Sequence, residues 1–191
     1  MFTKLSNWFL KISTGPLTLA CLAIFLIFSA LVLPDQAAKA EVYSGDVGSP
    51  DTSLYYTASD LYRMAEAYGP QGRATYIRAR YTFDVIWPLV YLAFLVTGIS
   101  WLVKRAKLDW STWGRLNLLP VFGMLFDFLE NGSAAIVMAR YPQPTAVIAH
   151  LAGIFTLLKW GFIAASFGLL VIIAGLVVIR LIHNRQKPSA Q

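Results

Sequence analysis

The sequence contains few of the residues on which many catalytic and metal sites depend. It has one cysteine and two histidines, and charged residues make up 14% of its 191 positions. A single cysteine can form neither an internal disulfide bond nor a CxxC redox pair. Because Cys21 lies inside an apolar run, we expect it to be a small buried hydrophobic residue.

Recognisable motifs for metal binding or nucleophilic catalysis are also missing. The sequence has no HExxH or ExxH pattern, no Cys/His cluster and no interpretable Ser–His–Asp or Cys–His order. We therefore predict no metal site and no resident cofactor.

The few charges lie at informative positions. The chain is 57% hydrophobic with a mean hydropathy of +0.58, whereas roughly a quarter of a soluble domain is charged. The net charge is +6, but nine of the sixteen basic residues lie in three short clusters beside apolar segments. These nine are Lys4, Lys11, Lys104, Arg105, Lys107, Arg115, Arg180, Arg185 and Lys187. This arrangement is typical of membrane topology and argues against nucleic-acid binding.

Four apolar runs are long enough to cross a bilayer, which takes about 20 residues of helix. They predict spans at about 14–33, 84–103, 117–139 and 148–181. The expected fold is all-α: a polytopic membrane protein with a four-helix transmembrane bundle forming a single domain, 1–182. Residues 183–191 are predicted to form a flexible cytoplasmic tail.

The outer segment, 34–83, is more polar. Residues 35–56 are rich in Asp, Gly, Ser and Pro and predict a loop. Residues 57–68 predict a short helix that caps the outer side of the bundle, with Thr57 or Ser59 as its N-cap. We expect the next helix to run without interruption from about 71 to 103 and to kink at Pro88.

The basic clusters also predict the orientation. The outer segment 34–82 has five basic and six acidic residues, whereas the opposite side has nine and one. Both termini are therefore expected in the cytoplasm, with the protein in the plasma (inner) membrane. Ala38-Lys39-Ala40 resembles a signal-peptide cleavage site, although the preceding apolar run exceeds the usual 7–15 residues, so cleavage of the first span stays open.

The third span carries an unusual set of polar residues. Asp127, Glu130 and Asn131 have the spacing i, i+3 and i+4, which places them on one face of a helix. Each charge costs about 2.5–3.5 kcal/mol at the centre of a membrane helix, and such residues usually have a partner or a function.

Possible partners lie near the outer ends of the neighbouring helices. Lys159 belongs to the fourth helix, and Arg80 and Asp84 are spaced i, i+4 on the second. We predict that these groups converge in a pocket open to the outside. The candidate ligand-binding residues are Asp84, Asp127, Glu130, Asn131, Lys159, Arg80, Arg73 and Tyr76.

Three functions remain open at this stage. The pocket could bind a small ligand, a lipid headgroup or a cation. Alternatively, the protein could be a membrane enzyme acting on a lipid-like substrate, since Asp127 and Glu130 cannot both stay charged cheaply once desolvated and could perform acid–base chemistry. It could also be a non-catalytic accessory subunit whose charges only hold the bundle together. Expected partners are the lipid bilayer and a small-molecule or lipid ligand, and a homo-oligomer or membrane protein partner is plausible.

Overall fold

The computed structural model describes residues 2–186. This part of the chain is 88% helical and contains no strand. Four segments in it are long and apolar enough to cross a membrane, namely Gly15–Val47, Gly69–Arg105, Gly114–Arg140 and Ala146–His183. The predicted all-α class and the four long apolar helices are therefore confirmed.

The chain begins with an amphipathic helix, α1, at Phe2–Ile12, followed by α2 at Gly15–Ile27. The Thr14 hydroxyl caps α2 by accepting a hydrogen bond from the Leu17 amide, and Pro16 occupies the first turn. Proline is favoured there because its missing N–H would have no partner inside the helix.

The loop prediction for 35–56 is wrong in its first part, because the first long helix continues past Pro34. A π-helical turn at Phe28–Val32 leads directly into α3 at Leu33–Ser44. The wider turn, in which the Leu33 amide bonds the Phe28 carbonyl, accommodates a proline that an ideal α-helix would exclude. The stretch after Pro34 is rich in helix-forming Ala, Gln, Lys and Glu.

A cap covers one end of the bundle. It consists of a strap, residues 45–57, with 3₁₀ turns at Gly45–Val47 and Pro50–Thr52, and of α4 at Ala58–Ala67. Thr57 and Asp60 form a capping box: the Thr57 hydroxyl accepts from the Asp60 amide at 3.2 Å, and the Asp60 carboxylate accepts from the Thr57 amide at 3.0 Å. The Thr57 hydroxyl also donates to the Asp60 carboxylate at 2.7 Å, and this bond together with the one from the Thr57 amide lowers the pKa of Asp60. The expected short helix is present with the expected cap residue.

The second long helix is broken, contrary to the prediction of one continuous helix. Helix α5 spans Gly69–Arg80 and α6 spans Phe83–Arg105. The Thr82 hydroxyl donates to the Arg78 carbonyl at 2.8 Å. In a continuous helix, that carbonyl would accept a hydrogen bond from the Thr82 amide. That amide bonds Ala79 instead. A side chain that competes for a backbone acceptor in this way interrupts the series of backbone hydrogen bonds along the helix. Pro88, in contrast, is accommodated inside α6.

The remaining helices complete the bundle. The connection after α6 contains a single helical turn, α7 at Trp110–Trp113, and leads through a 3₁₀ turn at Gly114–Leu118 into α8 at Leu119–Arg140. Helix α9 spans Ala146–Gln186 and packs along α8. Residues 183–186, assigned to the tail from the sequence, are thus helical, and 187–191 lie outside the described residues.

Polar contacts fix α1 at the end of the bundle opposite the cap. The Lys104 ammonium donates to the carbonyls of Leu10 and Ser13, and so satisfies the C-terminal end of α1. The Asn117 amide donates to the Ser6 carbonyl at 3.1 Å and to the Ser100 hydroxyl at 3.0 Å. Helix α1 is therefore held to the bundle by hydrogen bonds.

Burial differs strongly among the four long segments. In the most apolar window of each, 50% of residues are buried in the second segment and 44% in the third, against 6% in the first and 17% in the fourth. The centre of the bundle is therefore formed by α6 and α8, while α2 and much of α9 present apolar surface outward.

Candidate functional site

Glu130 lies in a closed ionic pocket between α8, α9 and the strap. Its carboxylate pairs with the Lys159 ammonium, accepts a hydrogen bond from the Thr156 hydroxyl at 2.7 Å and is 3.4 Å from the Tyr56 hydroxyl. Only 1% of Glu130 is exposed. Burial and the adjacent Glu130 charge raise the pKa of Tyr56, so its phenol remains a neutral donor.

Arg80, at the end of α5, is the centre of a second ionic group. Its guanidinium pairs with Asp84 at 2.8 Å and with Asp51 of the strap. It also donates to the Asn131 side-chain oxygen at 3.3 Å and lies 4.4 Å above the centre of the Tyr76 ring. A planar guanidinium with several donors can serve all these partners at once.

Asp127 has a different environment from the other acids. Its carboxylate accepts hydrogen bonds from the Tyr91 hydroxyl at 3.1 Å and from the Asn131 amide at 3.0 Å. Within the described part of the chain, no lysine or arginine forms an ion pair with it. Asp127 is therefore held by neutral donors, although it is buried.

A cavity of about 920 Å³ opens beside these groups, between α3, the strap, the α5–α6 junction and α9. Its charged end is formed by Arg80, Asp84, Asp127 and Lys159. The apolar part of its wall, here called its aromatic end, includes Phe25, Leu33, Trp87, Ile163 and Phe167. The cavity is therefore amphipathic, with buried charges and an aromatic surface in the same wall.

The aromatic end is well packed. The Phe25 ring stacks on Trp87 with centroids 5.7 Å apart and contacts Phe167 at 5.8 Å. Trp87 in turn meets Tyr91 edge to face at 5.9 Å. Because Tyr91 also donates to Asp127, the aromatic surface continues up to the unpaired carboxylate.

The strap that covers the cavity is fixed at several points. The Trp160 indole donates to the Ser53 carbonyl at 3.0 Å, and the Tyr68 hydroxyl donates to the Gly48 carbonyl at 2.7 Å. Burial raises the pKa of Tyr68 to about 12, so this donor is retained at neutral pH. Gly153 of α9 lies directly against the Tyr56 carbonyl, where a larger residue would collide with the strap backbone.

The structure brings most of the predicted site residues together, with one exception. Asp84, Asp127, Glu130, Asn131, Lys159, Arg80 and Tyr76 form one connected region, although Glu130, Asn131 and Tyr76 lie behind the cavity wall. Arg73 lies elsewhere: it donates to the Ala65 carbonyl at 2.8 Å and stacks over the Tyr141 ring at 4.9 Å. Arg73 therefore fastens α4 to the bundle.

Four residues of this region were missed by sequence reasoning. Tyr91 lies two helical turns after Asp84, and Thr156 lies one turn before Lys159, so helical spacing could have identified both. Asp51 and Tyr56 come from the irregular strap, where no periodicity indicates which way a side chain points. Their contacts depend on how the strap crosses the bundle.

Among the residues that the structure describes, no group of three or more His, Cys, Asp or Glu side chains is arranged to hold a metal ion. In comparisons with known protein families, curated proteins and solved structures, no match to this chain was found. The function must therefore be argued from the geometry of the site.

Proposed function

We propose that this chain is an integral membrane protein with four spans in the plasma membrane, with both termini cytoplasmic and the cap outside. The outward apolar surfaces of α2 and α9 would face lipid. The basic clusters around α1, the 104–115 connection and the end of α9 would lie on the cytoplasmic side. In this orientation the cavity beneath the strap is in the outer half of the membrane.

We infer that the cavity binds one lipid-like amphiphile. The carrying observation is the pairing of charged and aromatic ends in a single space of about 920 Å³, a volume in the usual range for ligand pockets, about 300–1,000 Å³. A polar headgroup would meet Arg80, Asp84, Asp127 and Lys159, while a hydrocarbon chain would lie against Phe25, Ile163 and Phe167.

Binding without chemistry fits the carboxylates better than acid–base catalysis does. Catalysis by Asp127 and Glu130 requires both groups to reach the substrate, and Glu130 is enclosed by Lys159, Thr156 and Tyr56 behind the wall. The Glu130–Lys159 pair is better explained as part of the scaffold. An accessory subunit with a purely structural charge cluster would have no need of the adjoining cavity.

The proposal is tested by filling the cavity. Ala40 and Ala79 line it from α3 and α5, and we propose the double substitution Ala40→Phe/Ala79→Phe. The matched control is Ala38→Phe/Ala74→Phe, which adds the same two rings to the same helices at exposed positions outside the cavity wall. Each protein is purified in nanodiscs, and native mass spectrometry counts the amphiphiles that it retains.

We expect wild type and control to retain one amphiphile per protein, and the filled variant to retain none while remaining folded. Absence of a retained amphiphile from wild type, even after incubation with a membrane lipid extract, would refute the proposal. Equal retention by the filled variant would also refute it, because the binding site would then lie elsewhere.

A further inference from the structure

The cavity wall contains four basic residues, Lys39, Arg78, Arg80 and Lys159, and four acidic residues, Glu41, Asp51, Asp84 and Asp127, but the ionic network at its buried end is unequal in charge. Within the described residues, the network contains four carboxylates and two cations: Asp51, Asp84, Asp127 and Glu130 against Arg80 and Lys159. Arg80 is shared between two of the acids, and Lys159 pairs with a third. The acid left without a cation is Asp127, which is also in the cavity wall.

A buried carboxylate with only neutral donors is a favourable position for a positive charge. Transfer of Asp127 out of water is costly, and its two hydrogen bonds compensate only part of that cost. A cation brought into the cavity would supply the missing opposite charge in a region of low dielectric, where charge pairing is stronger than at a surface.

The aromatic rings beside Asp127 favour the same type of ligand. The Trp87 and Tyr91 rings line the cavity next to the carboxylate and meet edge to face. Cations bind to the faces of such rings, and quaternary or substituted amines bind them especially well. The protein already uses this contact internally, since the Lys159 ammonium lies 5.1 Å from the centre of the Trp160 ring.

The basic residues in the cavity wall do not form an anion-binding site comparable to the cation-binding position at Asp127. Arg80 and Lys159 are already engaged by carboxylates. Lys39 pairs with Asp35 at 2.6 Å, and both it and Arg78 are exposed at the mouth. An anionic headgroup at the buried end would add to an existing excess of negative charge.

We propose that the amphiphile bound in this cavity carries a positively charged amine headgroup, with Asp127 as its counter-ion and Trp87 and Tyr91 around it. This inference rests on the proposed binding of an amphiphile and specifies its chemical class. The amine lies at the charged end, and its hydrocarbon chain extends toward Phe25 and Phe167.

The test compares three compounds that have the same hydrocarbon chain and different headgroups. Dodecylamine, dodecanol and dodecyl phosphate are titrated in turn against wild type in nanodiscs of digalactosyldiacylglycerol, a neutral lipid without an amine, and bound molecules are counted by native mass spectrometry. We expect the amine to bind about tenfold or more tightly than the alcohol, as a charge-assisted contact would give, and the phosphate to bind most weakly. This comparison needs no substitution and so does not depend on the folding of a variant.

Two variants then test whether Asp127 causes the preference for the amine over the alcohol. Asp127→Asn keeps a similar shape and removes the charge, and we expect it to reduce amine affinity about tenfold while leaving the alcohol unchanged. Glu66→Gln removes a charge from an exposed position on α4, outside the cavity wall, and should leave both affinities unchanged.

Each alternative result has a defined meaning. Equal binding of amine and alcohol, or a preference for the phosphate, would overturn the inference while leaving amphiphile binding intact. An amine preference that survives in Asp127→Asn would overturn the role of Asp127. Binding of none of the three compounds, together with no retained lipid in wild type, would instead remove the proposed function itself.

Discussion

At the scale of single residues, the two acids one helical turn apart on α8 have different roles. Glu130 is enclosed and paired with Lys159, whereas Asp127 reaches the cavity and is held by Tyr91 and Asn131. Their spacing predicts a common face but does not reveal which of them a lysine will reach. That choice depends on how α9 is placed along α8.

The Glu130–Lys159 pair should behave as a buried ion pair. Glu130→Gln or Lys159→Met alone leaves an unpaired buried charge, and we expect either to reduce the free energy of unfolding by about 3–5 kcal/mol. The double variant Glu130→Gln/Lys159→Met should cost less than either single change. Thermal unfolding in detergent measures this, and strictly additive losses would show that the two groups are not coupled.

Asp60 provides a prediction about the cap. Its hydrogen bonds with Thr57 favour the ionised carboxylate and lower its pKa below the usual value of 3.8. The resulting stabilisation of α4 is complete above that value and is lost as the pH falls through the lowered pKa. We expect Thr57→Ala to raise the pKa of Asp60 toward 3.8 in an NMR titration. An unchanged pKa would mean that the capping box does not cause the shift.

At the scale of elements, the strap determines whether the cavity is closed on the cap side. It contributes Asp51 to Arg80 and Tyr56 to Glu130, and it is fastened to α9 through the Trp160–Ser53 hydrogen bond. Close approach of the strap to α9 is possible because position 153 is a glycine.

Gly153→Ala should displace the strap, since the added Cβ would collide with the Tyr56 carbonyl. We expect lower thermal stability and faster proteolysis within residues 45–57. The matched control is Gly161→Ala on the same helix, where the added Cβ meets nothing within 4 Å and alanine improves helix propensity by up to about 1 kcal/mol. Equal sensitivity of both variants to protease would contradict the close packing of the strap on α9.

The elements also show which features a sequence can predict. Length and hydropathy were sufficient to predict the four long helices, and the start of α4 was predicted to within two residues, with Thr57 one of two candidate caps. The break before α6 was not predictable, because a threonine does not by itself end a helix. Thr82 interrupts this one through the hydrogen bond from its hydroxyl to the Arg78 carbonyl. The continuation of α2 past Pro34 likewise required a π-helical turn that no residue pattern indicates.

At the scale of the whole molecule, the bundle combines a polar centre with an apolar exterior. The sequence was sufficient to predict that buried charges on three helices meet near one end, because such charges need partners. It could not predict the cavity beside them, which arises where α3, the strap and α9 leave space. It also misplaced Arg73, which shares α5 with Tyr76 and Arg80 but donates to the Ala65 carbonyl of α4, a partner that helical spacing does not indicate.

Occupation of the cavity by an amphiphile is tested most directly by tryptophan fluorescence. Trp87 lies in the cavity wall, so a dodecylamine brominated on its chain should quench its emission when added at about one molecule per protein, far below the lipid content of a nanodisc. We predict saturable quenching in wild type and a smaller, still saturable effect in Trp87→Phe, in which Trp160 is the tryptophan that remains in the cavity wall. Quenching that rises linearly with the brominated compound and is the same in both proteins would contradict an amphiphile site in this cavity.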